Sequence, residues 1–337
     1  MRVPAAAPFE HLLRLTDGHG IFEHARFRDP RPEHGYCVDD VARGLVVASR
    51  EVDPGPDVRG LARLCLRFLT SAQDASGLIR NRFGTDLRWS DEPSAQDAWG
   101  RALWGLGTAA ARSADLGAQA LASFELSADI RSPHPRAMAF ASLGAGEVLR
   151  VHPRHAQARR LLGDATRAAA RPGTDASWPW PEPTLRYANA VLAEALIVGG
   201  AVLPDRQALD DGLTMLAWLL ATESAPGHLS VVPARGWARG DPRPGFDQQP
   251  IEVAALADAC ALAHEVTGEP KWLRGVELSA AWFLGANDSG QVMYDPQGGG
   301  GYDGLEQGGR NENQGAESTL AMISTFQLAA HLLPVPR

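Results

Sequence analysis

The sequence predicts an all-α fold, an (α/α)6 toroid whose six helical hairpins form an inner and an outer ring, with short strands in the loops. Three observations lead to this prediction. Segments rich in alanine, leucine and glycine recur six times along the 337 residues, amphipathic charged segments alternate with them, and each small-residue segment begins with polar residues. Because the repeat runs along the whole chain, residues 1–337 are predicted to form a single toroid domain.

The predicted inner ring consists of the six small-residue helices. Small side chains on every face suit a helix that is packed on both sides. These helices are predicted to begin near Asp39, Asp97, Arg136, Tyr187, Glu252 and Glu317.

The predicted outer ring consists of the charged, amphipathic segments, because a charged stripe suits a helix with one face in water. They occupy residues 9–15, 57–72, 117–128, 155–170, 205–222 and 270–286. An irregular helical bundle is the alternative architecture.

The loops carry a second pattern, a glycine followed by apolar residues, which predicts short strands or turns after three outer helices. It occurs in residues 74–83, 224–233 and 287–296, and the longest loops span residues 227–251 and 289–316. Loops of that length in a compact domain are usually functional. Because all of them lead into the starts of inner helices, one end of the toroid is predicted to gather the loops and the helix N-termini.

Composition excludes several classes of function. With 32 Lys and Arg against 40 Asp and Glu, the net charge of -8 argues against nucleic acid or an anionic membrane as a partner. No uncharged apolar stretch reaches the roughly 20 residues of a membrane span, and the N-terminus lacks the apolar run of a signal peptide, so a cytoplasmic location is expected. The three cysteines are odd in number and widely spaced, which suits neither a disulfide framework nor a zinc site. No set of histidines has metal-ligand spacing, so neither a metal nor a cofactor is predicted.

The loop-rich end is predicted to form a cup of carboxylates, amides and aromatic rings. Acids and amides bind sugar hydroxyls, and aromatic faces pack on pyranose rings, so the expected partner is an oligosaccharide. The candidate binding residues, in chain order, are His34, Tyr36, Asp39, Arg43, Arg101, Trp180, Glu182, Tyr187, Asn189, Asp247, Gln248, Gln249 and Asn313.

Each acid at a helix start also has a structural interpretation. Ser94 and Asp97 fit a capping box, and Glu252, just after Pro250, favours the helix dipole. Asp39 and Asp40 cannot both cap one helix. We expect Asp39 to be held by backbone donors or by Arg43, and Asp40 to face the ligand.

The predicted reaction is hydrolysis of a glycosidic bond by paired carboxylates. The candidates for the catalytic acid or base are Asp40 and Asp97 on one wall and Glu252 and Glu317 on the other. Inversion is favoured over retention because a wide cavity leaves room for a water between the two carboxyl groups. Two alternatives stay open. A sugar epimerase or isomerase on the same scaffold would use a histidine base, which points to His34, His134 and His228. The other alternative is a saccharide-binding protein without catalytic activity.

Four segments together resemble the bacterial six-hairpin (α/α)6-toroid carbohydrate-active proteins, which are described as glycosidase-like or glycosyltransferase-like. They are HGYCVDDVARGL, DAWGRALWGLG, WPEPTLRYANAVLAEALI and NQGAESTLA. The resemblance spans nearly the whole chain and implies a toroid fold and a saccharide ligand, with the charged residues at the inner-helix starts as the site. The chain departs from the pattern at Pro181, where the family has Phe, and at Ala188, where it has Asp. The resemblance does not fix the reaction, because such toroids host hydrolases, phosphorylases, lyases and epimerases.

Overall fold

A computed structural model describes residues 3, 4 and 6–333, and this part of the chain contains twelve α-helices. In chain order they are α1 (Glu10–Arg14), α2 (Val38–Arg50), α3 (Pro56–Ala72), α4 (Asp97–Arg112), α5 (Gly117–Ser127), α6 (Pro135–Val151), α7 (Ala156–Ala168), α8 (Ala190–Val202), α9 (Arg206–Thr222), α10 (Pro250–Thr267), α11 (Pro270–Phe283) and α12 (Ala316–Leu332).

The even-numbered helices form a closed inner ring. Each of α2, α4, α6, α8 and α10 packs against the next even-numbered helix, and α12 returns to pack against α2. The odd-numbered helices form the outer ring: α3, α5, α7, α9 and α11 each pack on the inner helix before them, and α1 packs on α12. The predicted (α/α)6 toroid is confirmed, and the single-domain organisation stays a prediction.

Burial separates the two rings as the residue types predict. The inner helix α6 buries every residue from Arg136 to Gly146. The outer helix α9 buries a single stripe, made of Ala208, Gly212, Met215, Leu216 and Leu219. An inner helix must be apolar on all sides because it has neighbours on all sides, whereas an outer helix needs only one apolar face.

Glycines bring α4 and α6 into backbone contact. A Cβ atom added at Gly144 would lie 2.1 Å from the carbonyl oxygen of Leu103, and one added at Gly107 would lie 2.2 Å from the carbonyl oxygen of Gly144. The small residues of the inner ring therefore set how closely neighbouring helices approach.

We expect Gly144→Ala to lower the free energy of unfolding by about 3 kcal/mol, because the methyl group would force two backbones apart. Urea denaturation followed by circular dichroism measures the change. Gly60→Ala is the matched control: a Cβ added at this exposed position of α3 meets nothing within 4 Å. That variant should gain about 0.5–1 kcal/mol from helix propensity. Equal effects in the two variants would contradict this account of the ring.

Short strands occupy the loops before inner helices, as predicted. They are β1 (Ala25–Arg26), β2 (Asp29–Pro30), β3 (Tyr36–Cys37), β4 (Arg82–Phe83), β5 (Thr184–Leu185), β6 (Ser224–Ala225), β7 (His228–Leu229), β8 (Trp237–Ala238), β9 (Gly304–Glu306) and β10 (Gly309–Asn311). All pairs are antiparallel: β1 with β2, β3 with β4, β5 with β8, β6 with β7, and β9 with β10. They fix the loops over the N-terminal ends of the inner helices.

Among the predicted starts of the inner helices, the largest difference is at α8, which begins at Ala190 rather than near Tyr187. Ala188 has a φ of 47°, which a right-handed helix cannot contain. The residues before α8 instead form a turn that is held by a carboxylate from α10, described below.

None of the helices within residues 3, 4 and 6–333 combines the length and the hydropathy that a membrane span requires.

Candidate active site at the loop-rich end

A cavity opens on the ring axis below the loops and contains about 540 Å³ of empty space, its mouth included. We call it the upper cavity. Its walls include two arginines and a glutamate from the starts of inner helices, and two aromatic rings from deeper in the ring: Arg43, Arg101, Glu317, Trp104 and Phe140. Among the four predicted catalytic acids, Glu317 alone belongs to these walls.

Arg43 joins two of the predicted acids across adjacent helices. Its guanidinium donates to the carboxylate of Asp40 on the same helix and, over 2.8 Å, to the carboxylate of Glu317 on α12. The Glu317 side chain is 41% exposed, whereas that of Asp40 is 3% exposed. Of these two acids, Glu317 is therefore the one that a ligand can reach.

Asp40 is a buried structural acid in this arrangement. Besides the bond from Arg43, it accepts one from the Sγ of Cys37 over 3.1 Å. Burial raises the pKa of Asp40 to about 6, and the charge of Arg43 is the main influence in the opposite direction. The prediction that Arg43 or the backbone holds Asp39 while Asp40 faces the ligand is wrong in its geometry, because Arg43 pairs with Asp40.

Asp39 points to the other neighbouring helix. Its carboxylate accepts a hydrogen bond from Nδ2 of Asn81 over 3.1 Å, and its second oxygen lies 3.2 Å from Nε of Arg101. The contact with Arg101 lacks hydrogen-bond geometry, so Nε of Arg101 and Oδ1 of Asp39 have no hydrogen-bond partner among the described residues. The guanidinium of Arg101 also lies 4.5 Å from the centroid of the Phe140 ring.

Asp97 belongs to a chain of contacts on the next two walls. It accepts a hydrogen bond of 2.5 Å from the hydroxyl of Tyr187, whose ring lies 4.9 Å from the guanidinium of Arg136. Arg136 in turn forms a bidentate pair with Glu182, both bonds being 2.9 Å long. Tyr187 is 40% exposed, so its ring is available at the rim of the site.

The capping interpretation of Asp97 is wrong. The N-cap of α4 is Gln96, and it makes no side-chain cap bond. Ser94 pairs with Ile79 in an isolated bridge instead of capping the helix. Asp97 is the first helical residue, and its side chain is bonded to Tyr187.

Glu252 also has a structural role, and this role is not limited to its favourable position at the helix N-terminus. Its buried carboxylate accepts hydrogen bonds from the backbone N–H groups of Ala188 and Asn189 and from Nδ2 of Asn189. It therefore holds the turn before α8, which contains the positive φ angle. Burial raises the pKa of Glu252 to about 7 although these three donors act to lower it.

A second buried acid lies close enough to Glu252 to affect it. Glu223, 1% exposed at the end of α9, accepts a hydrogen bond from the N–H of Val232. Burial and the charge of Glu252 raise the pKa of Glu223 to about 8.

We expect the protein to lose stability as pH rises from about 4.5 to 8, because the folded form retains protons on Glu223 and Glu252 that the unfolded chain releases in this range. Glu223→Gln keeps an oxygen for the N–H of Val232 and removes the titration, so this loss should become smaller. Urea denaturation at several pH values measures it. Glu269→Gln, at a side chain 47% exposed, is the control and should leave the pH dependence unchanged. The same slope in wild type and Glu223→Gln would contradict the assignment.

Several predicted binding residues lie in the interior and do not reach the cavity in this conformation: Tyr36, Trp180, Asn189 and Gln248, each at most 2% exposed. The hydroxyl of Tyr36 donates to Asp17, and Trp180 stacks on Trp218. Gln248 donates to Asp288 and accepts from Nε1 of Trp282. These side chains hold the loops in place.

The other predicted binding residues lie in the loops around the site. The Asn313 side chain accepts a hydrogen bond from the N–H of Phe27, and His34 packs edge-on against His24 with ring centroids 5.0 Å apart. Asp247 is exposed, and Gln249 is the N-cap of α10 without a side-chain cap bond.

The three histidines of the epimerase alternative are not among the residues that line the upper cavity. His228 forms a 2.7 Å bond with Asp288, and His134 is the exposed N-cap residue of α6. An epimerase using this cavity would therefore need a carboxylate base.

One group of possible metal ligands lies beside the site. Glu23, Cys37 and Asp40 offer atoms within 4.8 Å of one another. Arg82 already pairs with Glu23, and Arg43 with Asp40, so two positive charges oppose a cation at this position.

Sequence reasoning missed the cavity's inner surface, which includes Trp104, Phe140 and Glu194. These residues lie inside helices, where an aromatic or glutamate residue has no distinctive sequence context. It also missed Arg136, although this residue begins an inner helix just as Asp39 and Asp97 do.

No protein-family model matches the sequence, and no curated protein sequence matches it. Solved structures do match. A sugar epimerase from a ruminal bacterium superposes with a TM-score of 0.70 at 13% identity, covering 97% of this chain and 96% of that one. The cellobiose 2-epimerase of Spirochaeta thermophila gives 0.69 at 14% identity, covering 97% and 95%.

A glycoside hydrolase has the same architecture. The cellulase Cel9M of C. cellulolyticium, solved in complex with cellobiose, gives a TM-score of 0.63 at 6% identity, covering 94% of this chain and 88% of that one. The fold is that of the six-hairpin (α/α)6 carbohydrate-active proteins, as the sequence resemblance implied. Identities this low establish the fold and leave the reaction open.

Proposed function

We propose that this protein is an enzyme that converts a saccharide in the upper cavity, and that the reaction is epimerisation or isomerisation of a reducing sugar. The observation that carries the proposal is the combination of an accessible carboxylate, Glu317, with the guanidinium groups of Arg43 and Arg101 in one cavity wall.

This combination fits proton transfer next to a carbonyl group. In the open-chain sugar, the Glu317 carboxylate would take the proton from the carbon beside the carbonyl, and the electron pair would move onto the carbonyl oxygen to give an enediolate. Arg43 and Arg101 would stabilise that negative oxygen. If the enediolate rotates relative to Glu317, return of the proton to the opposite face of the same carbon gives the epimer. Return of the proton to the former carbonyl carbon, with transfer of the adjacent hydroxyl proton to the former carbonyl oxygen, gives the isomer.

Hydrolysis is the second candidate, and the carboxylates favour it. Asp97 on α4 and Glu317 on α12 come from helices on either side of α2, but Asp97 does not line the upper cavity and would have to leave its bond with Tyr187 to act opposite Glu317. The arginines count against it, because glycosidic cleavage develops positive charge on the sugar ring, and two guanidinium groups in the wall would oppose that charge.

The aromatic lining supports a sugar ligand for either reaction. Trp104 and Phe140 stack with ring centroids 5.8 Å apart in the wall, and the exposed Tyr187 ring lies at the rim. Aromatic faces pack on the apolar side of a pyranose. Two of the superposed structures are a sugar epimerase and a cellobiose 2-epimerase, which supports the proposal by analogy of fold alone.

The test is incubation of the purified protein with reducing mono- and disaccharides in deuterated water. Epimerisation or isomerisation would place deuterium at the carbon beside the carbonyl and produce a new sugar in the chromatogram. New reducing ends from oligosaccharides, without deuterium at carbon, would support hydrolysis instead. Binding without any product would overturn both reactions.

A further inference from the structure

A second cavity lies at the opposite end of the ring. It contains about 770 Å³ of empty space, its mouth included, and we call it the lower cavity. Its walls come from the last turns of α2, α6, α8 and α10, and include Arg50, Glu147, Arg150, Ala201, Glu265 and Val266. It meets the upper cavity at Trp104, Leu143 and Glu194, which line both.

The charges of the lower cavity are paired except for one. Arg150 pairs with Glu265 and Glu147, and Arg50 pairs with Asp258 over 2.6 Å. Ser324 accepts a bond from Arg50 and donates one to Asp258, which completes this inner pair.

Glu194 is the exception. It is 7% exposed, and no described residue forms a hydrogen bond or an ion pair with its carboxylate. Burial and the charges of Asp258 and Glu147 raise its pKa, and the charge of Arg50 does not cancel them. Of the charged groups that act on Glu194, Asp258 and Glu147 are negative and Arg50 is positive. The C-terminal ends of the inner helices add negative potential, since each carries a partial negative charge.

We propose that the lower cavity is a binding site for a small organic ammonium ion, with Glu194 as its counter-ion. An ammonium group supplies hydrogen-bond donors and a positive charge that stabilise the ionised carboxylate, so its binding releases the proton that burial favours on Glu194. The walls around it are largely apolar, with Leu143, Val198 and Val202 available to contact the carbon part of the ligand. The proposal does not depend on the reaction at the upper cavity.

The experiment is isothermal titration of the full-length protein with n-butylammonium chloride at pH 8, at constant ionic strength, with n-butanol as the uncharged ligand of the same shape. We expect saturable binding of butylammonium with a Kd of about 1 mM and no saturable binding of butanol. Glu194→Gln should weaken butylammonium binding at least about tenfold. Ala201→Trp places a large side chain at an exposed position in the wall, so it should prevent butylammonium binding by filling the cavity without changing its charge.

Glu277→Gln is the control. This acid on α11 does not line the lower cavity, and its side chain is 55% exposed and paired with Arg274, so its loss should change the affinity by less than about twofold. Circular dichroism and thermal melting verify that each variant is folded. The proposal is overturned if butylammonium does not bind, if butanol binds equally well, or if Glu194→Gln binds as wild type does. It is also overturned if sodium at equal concentration displaces butylammonium completely, because the site would then belong to an inorganic cation.

Discussion

Glu317→Gln should lower turnover about a hundredfold or more while the protein stays folded. The amide has the shape of the carboxylate and can still accept the bond from Arg43, but it cannot take a proton from carbon. Because the side chain is 41% exposed, losing its charge should cost little stability. The measurement is the initial rate of sugar conversion, or of deuterium incorporation at carbon, over a range of substrate concentrations.

The control for this variant is Glu312→Gln, which removes a charge from the loop just before α12. Glu312 is 50% exposed, pairs with Arg310 and does not line the upper cavity. Its loss should leave kcat within about twofold of wild type. A change in KM alone in Glu317→Gln would indicate that Glu317 binds substrate without transferring a proton. Full activity in Glu317→Gln would remove it from the mechanism.

Much of the ring could be predicted from the sequence because its physical cause is periodic. An inner helix has neighbours on all sides, so it must carry small or apolar side chains on every face. This pattern appears in each of the six inner-helix segments. The position of the site followed from the same pattern, since polar residues recur at the starts of the inner helices. Arg43, Arg101 and Glu317 were identified in this way, and all three line the upper cavity.

The orientation of individual acids depends on details that the pattern does not contain. Adjacent helical residues point about 100° apart, so the roles of Asp39 and Asp40 depend on the helix phase and on which arginine is near. The partner of Glu252 could not be predicted either, because it is the turn before α8, more than 60 residues earlier in the chain. Glu194 interrupts an apolar helix, and the sequence does not show that two cavities meet there.

Arg43→Met should lower the free energy of unfolding by about 3–5 kcal/mol, because it leaves the buried carboxylate of Asp40 without its charged partner. Methionine retains most of the apolar stem of arginine, so the loss of stability measures the contribution of the guanidinium group rather than that of packing. The cost should be greater at pH 8 than at pH 5. Since burial already raises the pKa of Asp40 to about 6, loss of the opposing positive charge would raise it further, and at pH 5 the neutral form would dominate in the folded variant.

The double variant Asp40→Asn/Arg43→Met tests this explanation directly. If the buried unpaired charge causes the loss, neutralising Asp40 should restore a large part of the stability that Arg43→Met removes, and the cost of Arg43→Met should then be the same at pH 5 and pH 8. Urea denaturation of the wild type, the two single variants and the double variant at both pH values gives the coupling energy. Additive losses would mean that Arg43 stabilises the protein through Glu317 or through packing. In that case Asp40 would be free of the structural role assigned to it and would again be a candidate for contact with the sugar.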